Sequence, residues 1–378
     1  MAELVETLTG TVVSQQANFF YVRAGEQEYA CFLRGKLKKS GETPVVGDHV
    51  IITLEPVSAE EKLPPPREGS LALPEPSGEP VVRRGFLDEL QPRKNLLKRP
   101  SIANVDQILL VFAAAQPPFN PLLLDKFLVT TAYNGFAPLI VLNKRDLVSG
   151  SELDAWVSAY RALGYTVIPT EATPAGVRDL LPHLAHKTSV LAGPSGVGKS
   201  SLVNALAPGL ELRTLDVSAK LQRGRHTTRH AALYPLPGIP GALLADTPGF
   251  SFLEIEAIAP PELGWYFPEM VPHIPDCKFP SCLHQHEPQC AVRDHAEMSE
   301  MRYDSYVRFL DELLALEKVN AERTSKVESG MKARGGRTGQ EERLVKVDAA
   351  DREANRRAMK QQLANFDFEE DELDDDEE

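Results

Sequence analysis

The chain has 378 residues, enough for two or three domains with separate cores, and its 42% hydrophobic and 25% charged residues are the balance of a soluble globular protein. No apolar run approaches a membrane span and the start, Met1-Ala2-Glu3-Leu4-Val5-Glu6, is acidic, which argues against a secretory signal and predicts a soluble, cytoplasmic protein. The net charge of −13 is concentrated at one end: Gln361 to Glu378 carries ten acidic and no basic residues, so the remainder is only −3 and its basic clusters stay free to meet an anionic partner.

Residues 1 to about 56 read as short strands. Thr9–Val13, Phe19–Val22, Glu28–Phe32 and Val45–Ile52 are β-rich runs separated by turn residues, which predicts a small barrel of the oligonucleotide-binding (OB) type. Cys31 reads as a core residue, and Arg34, Lys36, Lys38 and Lys39 as a basic loop able to track phosphates or simply to stay solvated. Residues 57–80 are rich in Pro, Glu, Ser and Gly and predict a flexible insertion. The barrel resumes with Val81–Leu87. Arg83 to Arg99 holds six basic and two acidic residues, either a solvated linker or a nucleic-acid contact.

From Asp106 continuous apolar runs alternate with helical segments. Ile108–Phe112, Leu139–Leu142, Thr166–Ile168, Val190–Ala192 and Ala242–Ala245 predict a parallel sheet covered on both faces, with a helix over Leu122–Tyr133. Within it, Gly193-Pro194-Ser195-Gly196-Val197-Gly198-Lys199-Ser200-Ser201 completes the pattern G-x-x-x-x-G-K-[ST] between a strand and a helix. The glycines let backbone N–H groups turn around a phosphate, and the helix start adds partial positive charge. Lys199 can reach the β- and γ-phosphates, and the Ser200 hydroxyl can join Mg²⁺.

Asp246-Thr247-Pro248-Gly249 ends a later strand, where Asp246 can hold Mg²⁺ and the Gly249 N–H can sense a γ-phosphate. Between the two lies Gly224-Arg225-His226-Thr227-Thr228-Arg229, suited to present a threonine hydroxyl to Mg²⁺: Thr228, with Thr227 as the alternative. Asn143-Lys144-Arg145-Asp146 succeeds a strand, and its Asp can accept the N1–H and 2-amino hydrogen bonds of guanine, which adenine cannot offer. Asn143 would brace that loop and the Lys144 stem would cover the base. Together these motifs favour GTP over ATP.

Their order is rotated. The guanine motif precedes the phosphate loop by about fifty residues, which is circular permutation, and it leaves the segment after Asp246 able to pull on the C-terminal region. That region opens with Cys277-x4-Cys282-x-His284-x5-Cys290, a set for one closed, structural Zn²⁺ site, with His286 as a substitute for His284. Next come a helix over Ala296–Lys318 with an apolar stripe, a basic arm from Arg323 to Lys346 (Lys326, Lys332, Arg334, Arg337, Arg343), and the acidic tail.

The chain resembles the ribosome small-subunit-dependent GTPase A (RsgA/YjeQ/YloQ) family. The match rests on Pro92-Arg93-Lys94-Asn95, Arg99-Pro100, Ala103-Asn104-Val105-Asp106, Leu124-Asp125-Lys126-Phe127-Leu128, the motifs above, and Glu287-Pro288 within the Cys/His cluster. The resemblance implies an α/β, circularly permuted P-loop GTPase domain with an N-terminal OB-fold barrel and a mostly helical zinc domain. It implies slow GTP hydrolysis stimulated by the small ribosomal subunit, action late in that subunit's maturation, and contact with its rRNA. By family analogy His226 orients the attacking water, Phe250 standing where many GTPases carry a Gln. Thr170-Glu171-Ala172 departs from the usual Ser-Ala loop beside the guanine.

The expected layout is a barrel at 1–95, a GTPase domain at 96–258, a zinc domain at 259–320, and the arm and tail at 321–378. GTP/GDP with Mg²⁺, the small subunit and a monomeric state complete the expectation. Two rival functions are an rRNA-binding assembly module whose hydrolysis is incidental and an ATP-using P-loop kinase.

Overall fold

A computed structural model describes residues 6–16, 19–55, 83–98, 100–208, 231–246 and 255–332. It divides into two compact units, Met1–Val319 and Asn320–Glu378, the second described only through the helical residues up to 332. The insertion at 57–80, the switch residues Gly224–Arg229 and Thr247–Phe250, and the acidic tail lie outside the described residues.

Five strands close the N-terminal barrel: β1 (Thr7–Gln16), β2 (Phe19–Ala24), β3 (Gln27–Leu33), β4 (His49–Leu54) and β5 (Arg84–Leu90), in the order β1-β2-β3-β5-β4. Closure removes the free sheet edges, and Val12, Val22, Cys31, Val50, Ile52 and Leu87 fill the interior. Burial pushes the Cys31 thiol up to about 12, so it behaves as the expected inert core residue. The segment expected as a basic loop is instead a short helix, α1 (Gly35–Ser40). Its single apolar side chain, Leu37, is buried in the barrel core and fixes the turn, while Lys36, Lys38 and Lys39 remain exposed.

A two-stranded hairpin, β6 (Leu96–Lys98) and β7 (Ser101–Ala103), leads into the sheet. There β8 (Gln107–Ala113), β9 (Ala137–Asn143), β10 (Val167–Pro169), β11 (Thr188–Ala192), β12 (Ala232–Pro235) and β13 (Leu243–Asp246) lie in the order β10-β9-β8-β11-β13-β12. All neighbours are parallel except β12, an antiparallel edge strand that the apolar-run pattern did not reveal.

Every residue of β8 is buried, and alternate side chains serve opposite faces. Ile108, Leu110 and Phe112 meet α2 (Pro121–Tyr133) and α3 (Gly150–Arg161); Leu109, Val111 and Ala113 meet α5 (Lys199–Leu206) and the short α4 (Leu181–Leu184). Asn120 caps α2 by accepting from the Leu123 N–H, with Pro121 at the first helical position.

The C-terminal region is built from helical turns at Pro260–Tyr266 and Ile274–Asp276, then α6 (Ala291–His295) and α7 (Glu300–Lys332). The last helix starts four residues later than expected and continues to Lys332, so the first part of the expected basic arm is helical. Its stripe of Tyr306, Leu310 and Leu313 is buried, as a packing face requires.

Candidate functional site

The sheet order explains how motifs far apart in sequence meet. Strands β9 and β11 flank β8 and run parallel to it, so the loops after all three emerge at the same edge of the sheet. The loop after β11 is the phosphate loop, and the loop after β9 is Asn143–Asp146. Asn143 is fully buried, and its Nδ2 donates to the Val197 carbonyl at 2.9 Å. Lys144 Nζ donates to the Gly196 carbonyl at 2.8 Å and to the Gln116 carbonyl in the loop after β8. Three loops are thus tied at one place by side chains of the guanine motif.

Glycine is required where these loops touch. Gly198 has φ +92°, and a Cβ there would stand 2.5 Å from Asn143 Nδ2. Beyond it Lys199 and Ser200 open α5, and Lys199 Nζ folds back on the Gly193 and Pro194 carbonyls at 2.8 and 2.7 Å. Burial pushes the Lys199 ammonium below its ordinary value. Ser195, Gly196 and Ser201 are exposed beside it.

Thr170 comes from the end of β10. It is buried, donates from Oγ1 to Asn143 Oδ1 at 3.2 Å, and accepts the Arg145 N–H at 3.0 Å. Arg145 reaches the Glu171 carboxylate at 3.7 Å, and Asp146 is exposed at the loop end. Asp246 ends β13, one residue past the Val190–Ala245 pairing, so its backbone borders β11 close to where the phosphate loop begins. Its side chain, with His226, Thr227, Thr228 and Gly249, lies outside the described residues.

In the C-terminal region the ligand atoms of Cys277, Cys282, His284 and Cys290 lie within 4.8 Å of one another. His284 Nδ1 is 3.6 Å from Cys277 Sγ and 3.5 Å from Cys290 Sγ. A tetrahedral zinc with bonds of roughly 2.0–2.3 Å sets sulfur–nitrogen edges of about 3.5 Å, so the donor set and its spacing fit that ion. Burial keeps the His284 ring below its ordinary pKa, hence in the neutral form that binds metal. His286 is exposed and outside the cluster. The loop is shaped by Glu287, whose carboxylate accepts the N–H groups of Leu283, Gln285 and His286 at 2.7, 3.1 and 3.1 Å. Burial opposes its charge, but those donors outweigh it and hold the carboxyl below the usual range.

A third cluster gathers around Asp125 and Lys126 of the Leu124–Leu128 stretch. Arg302 of α7 is 2% exposed and pairs with Asp125 of α2 at 2.5 Å and with Glu269 at 2.8 Å, while its guanidinium stacks over Phe267 at 4.7 Å. Tyr160 Oη donates to the same Asp125 at 3.0 Å. Burial opposes the Arg302 charge, but Asp125 and Glu269 overcome it and raise the pKa. Lys126 also reaches Glu312 of α7 at 2.8 Å. These contacts join the C-terminal region to the helix behind the sheet.

The family model described as RsgA GTPase matches residues 90–256, and that of the RsgA N-terminal domain matches residues 9–59. The chain belongs to the RsgA GTPase family. A small ribosomal subunit biogenesis GTPase RsgA from Geobacillus thermodenitrificans is 42% identical over 311 residues, covering 80% of this chain and 97% of that protein. The RsgA of the same description from Synechocystis is 38% identical, covering 94% of each. Among solved structures, YloQ, described as a circularly permuted GTPase, has a TM-score of 0.64 at 34% identity, covering 83% of this chain and 98% of its own. YjeQ from Thermotoga maritima has a TM-score of 0.63 at 34% identity, covering 82% and 99%. The strand order agrees with an RsgA-type permuted fold: the guanine-motif strand comes before the phosphate-loop strand in the chain, yet the two loops touch.

Two features of this RsgA-family chain escaped the sequence. The Arg302 cluster joins residues 33 and 177 positions apart, and the Leu124–Leu128 stretch that marks Asp125 does not reveal its partner. Arg93 and Lys94, counted there as free positive charge, are taken up by Asp48 and Asp106.

Proposed function

We propose that the protein is a GTP hydrolase that docks on the small ribosomal subunit late in its maturation and uses hydrolysis to complete that step and leave. The observation that carries this is the joining of the guanine motif to the phosphate loop by Asn143 and Lys144, within a chain of the RsgA family. In this scheme Asn143, Lys144, Arg145 and Asp146 hold the base. Gly193 to Ser201 wrap the phosphates, and Gly249 meets the γ-phosphate.

Lys199 would exchange the Gly193 and Pro194 carbonyls for phosphate oxygens, which recovers its ion pairing and offsets its burial. Ser200, Thr228 and Asp246 are a hard-oxygen set suited to Mg²⁺. When bound, that ion neutralises charge on the phosphates. His226 orients the attacking water. Zn²⁺ held by Cys277, Cys282, His284 and Cys290 shapes the C-terminal region and takes no part in hydrolysis.

GTP and GDP, the small subunit and its rRNA are the partners of this scheme, for a monomer in the cytoplasm. Among the described residues no helix is long and apolar enough to cross a membrane. The test is phosphate release with and without purified small subunits. Stimulated turnover is expected; unchanged turnover would favour an assembly module with incidental hydrolysis. ATP displacing labelled GDP at comparable concentration would overturn the guanine assignment.

A further inference from the structure

The stretches Pro92–Asn95 and Ala103–Asp106 mark the family in sequence, yet among the described residues neither hydrogen-bonds to the nucleotide loops. They meet each other and the barrel. Arg93 forms a two-pronged pair with Asp48, Nε to Oδ1 at 2.6 Å and Nη2 to Oδ2 at 2.8 Å, and its Nη2 also donates to the Thr43 carbonyl at 3.0 Å. The Asp48 side chain is only 1% exposed and the Arg93 side chain 32%, so the carboxylate is buried under a guanidinium whose outer edge meets solvent. The neighbouring Gly47 has φ +91°, and a Cβ there would stand 2.0 Å from the Ala103 carbonyl oxygen.

The same clasp is tied to the sheet. Asn104 Nδ2 donates to the Gly47 carbonyl at 2.9 Å, and its Oδ1 accepts the Lys94 N–H at 2.8 Å. Asn95 exchanges two hydrogen bonds with the Val105 backbone, at 2.7 and 2.9 Å. Asp106 accepts from Lys94 Nζ at 3.2 Å and from the Thr188 N–H at 2.7 Å, where β11 begins. Beneath these polar contacts one apolar cluster runs from Val13, Tyr21 and Val46 of the barrel through Ile102 and Val105 to Ile108 of the sheet.

We infer that Arg93 and Asn104 are positioning residues that lock the barrel to the nucleotide-binding sheet at one angle, so that the partner meets both as a single body. A flexible linker would let the barrel dock without reporting to the nucleotide loops. A rigid clasp makes docking of the barrel also a placement of the loops at the far end of β11. The consequence for stimulation rests on the proposed subunit-dependent GTPase function; the rigidity itself does not.

The test uses full-length zinc-loaded protein with spin labels on ketone-bearing residues introduced at Lys38 and Ser151, both exposed, leaving the cysteines untouched. Wild type should give one narrow distance distribution. Arg93→Ala and Asn104→Ala should broaden it, leave GDP affinity and basal turnover unchanged, and lower stimulation by small subunits on the order of tenfold. Arg93→Lys, which keeps the charge and loses the fork, should fall between. If Arg93→Ala fails to fold, Arg93→Lys and Asn104→Ala decide by the same readings. A narrow distribution together with full stimulation in the folded variants would overturn the inference. Absence of stimulation in wild type would defeat the functional proposal alone, since the distance distributions would still decide whether the clasp is rigid.

Discussion

The phosphate loop and the Cys/His loop are both short irregular stretches between regular elements, and the chain keeps them in shape by different means. At the phosphate loop the protein's own groups close the structure. Carbonyls of Gly193, Pro194, Gly196 and Val197 are all taken by side chains of Lys199, Lys144 and Asn143. At the Cys/His loop the backbone is organised by Glu287, but the four ligand side chains converge on one another. The first loop is therefore built to be stable before its ligand arrives, and the second is built around its ligand.

The sharpest way to break this contrast is to remove the metal. Structural zinc in small modules contributes roughly 10–16 kcal/mol of apparent binding free energy at neutral pH, so its loss should dominate every other change. Chelation, or Cys282→Ser, should leave less than one equivalent of zinc and open residues 260–300 to proteolysis while the sheet stays folded. A full equivalent of zinc retained by Cys282→Ser would remove that residue from the ligand set.

Next in size is the Arg302 cluster, which couples the metal-dependent region to the self-supported sheet. Arg302→Met leaves Asp125 and Glu269 buried without a cation and should cost about 3–5 kcal/mol in urea denaturation. Replacing all three with apolar residues of similar volume should recover most of that loss. An Arg302→Met cost under about 1 kcal/mol would mean that solvent reaches the two carboxylates.

Asn143→Ala tests the other side of the comparison. It removes the bonds to Val197 and Thr170 and leaves buried groups unpaired, at about 1–3 kcal/mol of stability. If the two loops hold one nucleotide between them, GDP affinity should fall by about tenfold or more in a binding titration. A variant that loses stability but binds GDP normally would show that the loop contact is structural only.

What could be seen in the sequence divides along the same line. The Gly198-Lys199-Ser200 turn and the Cys/His spacing are local patterns, because backbone geometry and metal coordination each demand particular residues at short range. The barrel and the parallel strands were legible for a similar reason, as short β-rich runs between turn residues and as continuous apolar runs between helical segments. Pairings between distant residues were not. Arg302 lies within an amphipathic helix whose pattern shows only its apolar stripe, and Arg93, though part of a stretch that marks the family, gave no sign that Asp48 is its partner. In α1 a single buried residue, Leu37, decided helix over loop, which is too little for periodicity to register. β12 is an edge strand of only four residues, Ala232 to Pro235, and its closing proline reads as a turn rather than as part of a strand.

The smallest predicted effect concerns Lys199, where a self-supported loop carries a cost. Its ammonium is half withdrawn from water, and two carbonyls replace only part of its hydration. Its pKa is therefore lower folded than unfolded. At neutral pH both states hold the proton, and the folded state bears the whole penalty. As pH rises through the folded value toward the unfolded one near 10.4, the unfolded chain holds more protons and the penalty disappears. Lys199→Met has no charge to bury. In nucleotide-free protein it should melt slightly above wild type at pH 7, with the gap closing toward pH 10, and it should bind GDP far more weakly. Because both proteins share every other titrating group, their difference in melting temperature isolates this one. A gap that stays flat or widens with pH would show that the carbonyls already compensate the ammonium fully, and that lysine persists there at no cost to the fold.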